Sequence, residues 1–353
     1  MTRQFTYSGS PAHIVFGNGS SSQVAVWIER LGCRRALVLS TPHQAGDGEA
    51  LAKKLGALAV GTFAGAAMHT PVEVTETALA KVRDVNADCV VALGGGSTTG
   101  LGKAIAYRTD LPQIVIPTTY AGSEVTPILG QTETGVKTTV RDAKILPEVV
   151  IYDPELTVGL PVAMSITSGL NAMAHAAEAL YAQDRNPVST LMAAEGLRAL
   201  KQALPVLIEE PKNLAARGDA LYGAWLCGTV LGTVGMALHH KICHTLGGSF
   251  DMPHAETHAV MLPHTIAFNA VAVPELLKPV VDIFGGSAGG GLHDFAKSVG
   301  APLTLKELGL KQTDLDRAAE LATKNPYWNP RPFDRAAIRA LLQDAWEGRR
   351  PQH

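Results

Sequence analysis

Six of the 12 histidines lie between His239 and His264, in the run HHKICHTLGGSFDMPHAETHAVMLPH, and His175 sits earlier in NAMAH. Imidazole changes protonation near neutral pH, coordinates metals, and donates a hydrogen bond to developing oxyanion charge. His240 and His244 are four residues apart, so a helix sets both on one face. Asn171 and His175 share that spacing on another segment, and two facing helices would converge the four side chains. His239, His258 and His264 read as buried helix residues or caps. A metal reading takes Asn171, His175, His240 and His254 as the ligand set. Asn171 is a neutral amide and a weak ligand for zinc or iron(II), although three histidines suffice to retain zinc.

A second group of residues points to a nucleotide. In CVVALGGGSTTGLGKAIA, from Cys89 to Ala106, a buried strand hands over to a helix at Gly94, Gly95, Gly96 and Ser97. Glycines there let backbone amides approach a pyrophosphate, and the helix start presents unpaired N–H groups and positive dipole. The next proposed strand ends in PTTYAGSE, which supplies Thr118, Thr119 and Ser123 on the same sheet edge, where hydroxyls hold ribose or phosphate. No GxGxxG occurs at the first strand. Ser40 and Thr41 end a strand where an acidic residue often accepts the adenosine ribose hydroxyls, and this neutral end leaves room for NAD or NADP.

Both groups need elements to hold them. The first half alternates short apolar runs (Ala36 to Ser40, Leu58 to Phe63, Cys89 to Leu93, Ile114 to Pro117) with helix-like segments, the pattern of a parallel sheet covered by helices. Ile128 to Val140, bent at Thr134 and Gly135, reads as a hairpin, and Val149 to Tyr152 as one more strand. After Asp153 and Pro154 come long Ala- and Leu-rich stretches, Met164 to Ala182, Ser189 to Ile208 and Asn213 to Leu238, which read as helices. Pro161, Pro187, Pro205, Pro211 and Pro253 punctuate them. The expectation is an α/β dinucleotide-binding domain over 1–155 and an all-α substrate and catalytic domain over 156–353. Gly285 to Gly291 reads as a flexible connection.

In the whole chain of 353 residues, 30 Lys and Arg face 32 Asp and Glu, a formal charge of −2, which argues against a broad basic face for nucleic acid. The four cysteines are widely separated and form no CxxC pair, so reduced thiols in a cytoplasm are expected. Ala220 to His240 carries no formal charge, but its glycines and terminal histidines favour a buried helix over a membrane span.

Taken together, GGGS at Gly94, PTTYAGSE at Pro117, YDPELT at Tyr152, SGLNAMAHAAEAL at Ser168, HxxxH at His240 and PHAETHAVMLPHTIAFN at Pro253 resemble the iron-containing alcohol dehydrogenase family across nearly the whole chain. The resemblance implies the dehydroquinate synthase-like architecture and hydride-transfer chemistry with NADH or NADPH. It places Asn171, His175, His240 and His254 at the family's Asp and three His metal positions, and His244 at a further histidine near the nicotinamide. Lys137 matches a family lysine close to the nicotinamide ribose. Gly100 departs from an Asp often found after the glycine turn, and Asn171 departs at the only anionic ligand.

The second departure, with TGVKTTVRDAKILPEVVIYDPELT and NPYWNPRP, looks like a branch that generally needs no metal. That branch implies NAD(P)H-dependent reduction of a carbon–carbon double bond conjugated to a ketone, in a small dicarboxylate from aromatic-compound breakdown. His175, His240, His244 and His254 would then be catalytic and the metal set empty. Lys241 and Arg331 are candidates for the two carboxylates, with Tyr120 and Asn171 completing the substrate wall and Tyr327 and Trp328 covering it. A cytoplasmic homodimer is also implied, with no membrane or nucleic-acid partner. The alternative is a metal-dependent alcohol dehydrogenase of the same family.

Overall fold

The computed structural model describes residues 5–7, 9 and 12–353, the side chains of Val136 and Lys137 excepted. The chain divides into two compact units, Gly9–Leu160 and a unit containing Pro161–His353.

In the N-terminal unit the elements are β1 (His13–Phe16), α1 (Val24–Arg30), β2 (Ala36–Leu39), α2 (Ala45–Leu55), β3 (Ala59–Phe63), α3 (Val72–Asp84), β4 (Cys89–Gly94), α4 (Gly96–Thr109), β5 (Gln113–Pro117), β6 (Ile128–Glu133), β7 (Val136–Arg141) and β8 (Val149–Tyr152). Six strands form one sheet in the order β1-β8-β5-β4-β2-β3, all parallel. Its central strands are apolar at every position but Gln113, at the start of β5, because both faces are covered. Val38, Val91, Ile114 and Ile116 pack into one core, and Leu37, Leu39, Val90, Ala92 and Val115 into the opposite one, the two-residue alternation of a pleated strand. β6 and β7 pair as the expected hairpin, turning through Thr134 at φ 48° and Gly135 at φ 79°.

From β2 the chain runs to β3 on one side and then returns to β4 on the other. The carboxyl ends of β2 and β4 therefore flank the point where the winding direction reverses, which is where open parallel sheets bind ligands. Ser40 follows one of these ends and the Gly94–Gly95–Gly96 turn the other.

The C-terminal unit is helical: α5 (Val162–Ala179), α6 (Pro187–Glu209), α7 (Leu214–Thr233), α8 (Leu238–Phe250), α9 (His254–Ala270), α10 (Lys278–Phe284), α11 (Ala288–Ser298), α12 (Leu315–Thr323) and α13 (Arg335–Glu347). Three expectations are corrected here. The segment read as one helix from Asn213 to Leu238 breaks after Thr233, and α8 leaves at 97° to α7. The Asp184 carboxylate captures the Gly235 N–H at 2.9 Å within the break, a partner that lies far away in sequence. Pro205 lies inside α6 and does not mark a change of direction.

The glycine run at 285–291 is not a free connection either, because Gly289, Gly290 and Gly291 open α11 against its neighbours. A Cβ at Gly289 would lie 2.4 Å from Ala267 Cβ and 2.5 Å from the Pro263 carbonyl, so the glycines permit helix contact with α9. Among the described residues no single helix is long and apolar enough to cross a membrane. The four cysteines are free thiols.

Candidate active site

At the sheet edge, each glycine of the turn has its own reason. Gly94 sits at φ 153°, and a Cβ there would meet Thr98 Oγ1 at 2.4 Å; a Cβ on Gly95 would meet Thr119 Cγ2 at 2.7 Å. Both are required by packing. Gly96 is different: a Cβ would meet nothing within 4 Å, and no side chain caps this end of α4. The start of α4, the positive end of the helix dipole, is thus open at Gly96, as an anionic phosphate requires. Ser97 lies in this first turn, partly exposed.

Thr118 donates its N–H to the Gly94 carbonyl at 3.0 Å, and its hydroxyl accepts from Gln44 Nε2 at 3.2 Å. Thr119 and Ser123 are partly exposed, and Tyr120 is fully buried. Ser40 is buried, and Thr41 Oγ1 contacts Gln44 Oε1 at 3.5 Å. Lys137 belongs to β7 by its backbone, opposite Thr132, and its side chain lies outside the described residues.

Three residues that sequence reading passed over shape this edge. Lys103, only 1 % exposed, donates to the Ser123 carbonyl, to Thr126 Oγ1 and to the Ile128 carbonyl, pinning the 123–128 loop to α4. Glu124 holds the same loop to β8 by accepting from the Tyr152 hydroxyl at 2.8 Å. The clue was a lysine inside an otherwise apolar helix face, GKAIA. Burial pulls the Lys103 ammonium down from 10.5 to about 7, against a smaller opposing pull from Glu124. Between those values the unfolded chain carries a proton that the native chain lacks, so stability contributed at this site rises with pH through that window. Urea denaturation at pH 7 and at pH 9 should show a gain of about 2 kcal/mol that Lys103→Met removes.

The third residue, Thr70, explains the departure at Gly100. A Cβ on Gly100 would sit 2.3 Å from Thr70 Oγ1, and Thr70 is itself buried at φ 47°. The segment after β3 thus occupies space that a side chain at 100 would need. Gly100→Ala should lower the melting temperature by about 4 °C or more, and adding Thr70→Ala should recover most of it, with a coupling of about 1 kcal/mol in the double-mutant cycle.

The histidine group is built on α5, α8 and α9. Asn171, His175 and Glu178 lie at i, i+4 and i+7 of α5, one stripe of that helix. His175 Nδ1 lies 2.9 Å from His240 Nε2, and the His240 Nδ1–H donates to Glu178 Oε2. Glu178 Oε1 accepts the His239 N–H at 2.8 Å, in the first turn of α8. Asn171 Nδ2 approaches His175 Nε2 at 3.5 Å, while Asn171 Oδ1 is buried and finds no protein partner.

A parallel pair runs alongside, with His239 Nδ1 2.9 Å from Thr265 Oγ1 and His239 Nε2 2.9 Å from His258 Nδ1. Burial first, then neighbouring imidazoles, hold His239 and His258 well below the usual histidine range, so both stay neutral. His254, exposed at the start of α9, stacks edge-on against His258 with centroids 4.5 Å apart.

His244 stands edge-on to His240 at 5.8 Å, and its Nδ1 lies 3.3 Å from the Tyr327 hydroxyl. Lys241 Nζ lies 5.7 Å from the Tyr327 ring centre, and partial burial lowers its pKa. The cluster therefore grades from the buried Glu178 through His240 and His175 to exposed His254 and half-buried His244.

Arg331 Nη1 donates to the Phe268 carbonyl at 2.9 Å, and the guanidinium covers the Phe268 ring at 4.0 Å. Trp328 is 42 % exposed beside Tyr327. Of the residues singled out from sequence, Asn171, His175, His240, His244, His254 and Lys241 thus come together, whereas Tyr120 lies in the N-terminal unit. Glu178 was missed. Its clue was the third residue beyond His175 on the same helical stripe.

Models of two family halves match the chain, iron-containing alcohol dehydrogenase over residues 11–154 and the Fe-containing alcohol dehydrogenase family C-terminal region over residues 165–346. The chain belongs to the iron-containing alcohol dehydrogenase family. Within this family it is 69 % identical over 348 residues to a maleylacetate reductase of Rhizobium sp. (strain MTP-10005), covering 99 % of each chain. It is 54 % identical to a maleylacetate reductase of Burkholderia cepacia, covering 98 % of this chain and 99 % of that one. The crystal structure of maleylacetate reductase from Agrobacterium tumefaciens superposes with a TM-score of 0.97 at 68 % identity, over 99 % of this chain and 100 % of that one.

For the ion that gives the family its name, this donor set is weakened at one position. Asn171 brings no charge to the position where the family has its anionic ligand. Both ring nitrogens of His240 and both of His175 are engaged with Glu178, Asn171 or each other. Binding an ion would break the His175–His240 hydrogen bond, and Asn171 would supply no directly coordinating carboxylate, the nearest one being Glu178 behind His240. Among the described residues His239, Cys243 and His258 also have ligand atoms within 4.8 Å of one another, all three side chains are buried, and burial pushes the Cys243 thiol well up.

Proposed function

We propose that this chain reduces the carbon–carbon double bond of maleylacetate to give 3-oxoadipate, using NADH or NADPH and no metal ion. The observation that carries this reading is the 69 % identity, over nearly the full length of both chains, to a maleylacetate reductase. A histidine group lacking an anionic ligand supports its metal-free form.

A dinucleotide suits the N-terminal unit. The open amides at Gly96 and Ser97 would take the pyrophosphate, with Gly94 and Gly95 shaping the turn. Thr118, Thr119 and Ser123 would take ribose and neighbouring groups, Ser40 and Thr41 the adenosine ribose, and Lys137 the nicotinamide ribose. When bound, the nicotinamide supplies a hydride to the carbon β to the ketone. The electron pair of the double bond then resides on the ketone oxygen as an enolate, and a proton added to the α carbon completes the ketone product.

The protein's part is to stabilise that oxygen and return the proton. His175, His240, His244 and His254 provide the imidazoles, and Asn171 provides a buried amide. The proton enters at the exposed end of the group, His244 and His254, where imidazole exchanges with water. Lys241 and the Tyr327 hydroxyl serve the substrate carboxylates. Arg331, through its bond to the Phe268 carbonyl, fixes the segment that carries Tyr327.

Loss of NADH absorbance on adding maleylacetate to chelator-treated, folded enzyme tests the proposal, with metal content measured on the same preparation. Turnover without stoichiometric iron or zinc is the expected result; a turnover that disappears with the metal would favour the alcohol dehydrogenase alternative. We further propose a cytoplasmic homodimer, which light scattering on the eluting peak would check.

A further inference from the structure

We infer that Glu178 is a positioning residue that sets the direction of every hydrogen bond in the His240–His175 pair, and through it the face those imidazoles offer to substrate. The inference rests on the reading of this histidine group as the catalytic site. Glu178 is fully buried on α5, and both its oxygens are used. Oε1 can only accept from the His239 N–H, because a backbone amide has nothing else to offer.

As a carboxylate, Glu178 accepts at Oε2 as well, so His240 carries its proton on Nδ1. Its Nε2 is then a lone pair. That lone pair lies 2.9 Å from His175 Nδ1, which must therefore donate, leaving His175 Nε2 as the acceptor that faces the Asn171 amide. One carboxylate thus fixes the tautomers of two imidazoles. It also closes the first turn of α8, the helix that carries His239, His240 and His244.

The neighbouring pair provides an internal comparison. Thr265 Oγ1 donates to the Met261 carbonyl at 3.0 Å, so it accepts from His239 Nδ1–H. His239 Nε2 in turn accepts from His258 Nδ1–H. This pair takes its direction from a backbone carbonyl and does not depend on Glu178.

Glu178→Gln separates position from charge. The amide oxygen keeps the His239 N–H, while the amide nitrogen turns a donor towards His240 Nδ1. His240 must move its proton to Nε2, and His175 must follow. Side-chain 15N spectra of histidine-labelled enzyme without substrate should show His240 and His175 protonated on Nδ1 in the parent and on Nε2 in Glu178→Gln, with His239 and His258 unchanged. Turnover with maleylacetate should fall at least about 10-fold in kcat, with NADH affinity within about twofold of the parent, the scale seen when a group orienting a functional histidine is altered.

Glu178→Asp keeps the carboxylate and should keep the Nδ1 tautomers and recover part of the rate. Nε2-protonated His240 in the parent, or an unchanged kcat in Glu178→Gln, would overturn the inference. Absence of maleylacetate turnover in the parent enzyme would instead refute the functional reading while the tautomer measurement still stands.

Discussion

His254→Ala should lower kcat by about 10³-fold while leaving NADH affinity unchanged, the size of effect expected when a positioned proton donor is lost. His254 stands at the first position of α9, exposed, with its ring against His258. Its removal leaves the buried imidazole pairs and their anchors intact, so the loss should appear in turnover and not in folding. NADH fluorescence titration and single-turnover reduction of maleylacetate measure the two quantities separately. An equal loss of both would assign His254 a structural role. His244→Phe, which keeps ring volume beside Tyr327, offers the companion measurement for the other group at the exposed end.

The second large effect concerns metal affinity. Asn171→Asp restores a charged oxygen beside His175 and should raise the affinity for zinc(II) or iron(II) at least about 100-fold, because an anionic ligand both coordinates and balances the ion. Asn171 Oδ1 is buried and has no protein partner, so the new carboxylate is not consumed by an existing donor. The ion would compete with the His175–His240 hydrogen bond, and turnover without added metal should fall as that pair is drawn apart. Isothermal titration with zinc(II), and activity before and after chelation, test both parts. Unchanged affinity would mean that the imidazoles cannot leave their hydrogen bonds to serve an ion.

Much of the framework was legible in the residues themselves. The apolar runs at 36–40, 89–93 and 114–117 are strands because they are covered on both faces, and such strands need no polar alternation. The glycine turn after β4 was recognisable because it joins a buried strand to a helix. Only coordinates separate Gly94 and Gly95, which packing requires, from Gly96, which is open.

Less legible was anything that depends on a distant partner. The break between α7 and α8 escapes local pattern because apolar residues continue through it, and the capture of Gly235 by Asp184 is a contact across 51 positions. Arg331 stands out in sequence only by its charge, and its contacts with the Phe268 carbonyl and ring span 63 positions.

The histidine group draws the same line. Helical spacing alone put Asn171 with His175 and His240 with His244, and the missing carboxylate at Asn171 was plain in the sequence. What the tertiary structure decided is how these rings are wired, since Glu178 reaches His239 and His240 across 61 and 62 positions. Periodicity reports which side chains share a face of one helix. The proton on an imidazole nitrogen is set by whichever acceptor another helix brings to it, and that depends on how the helices pack.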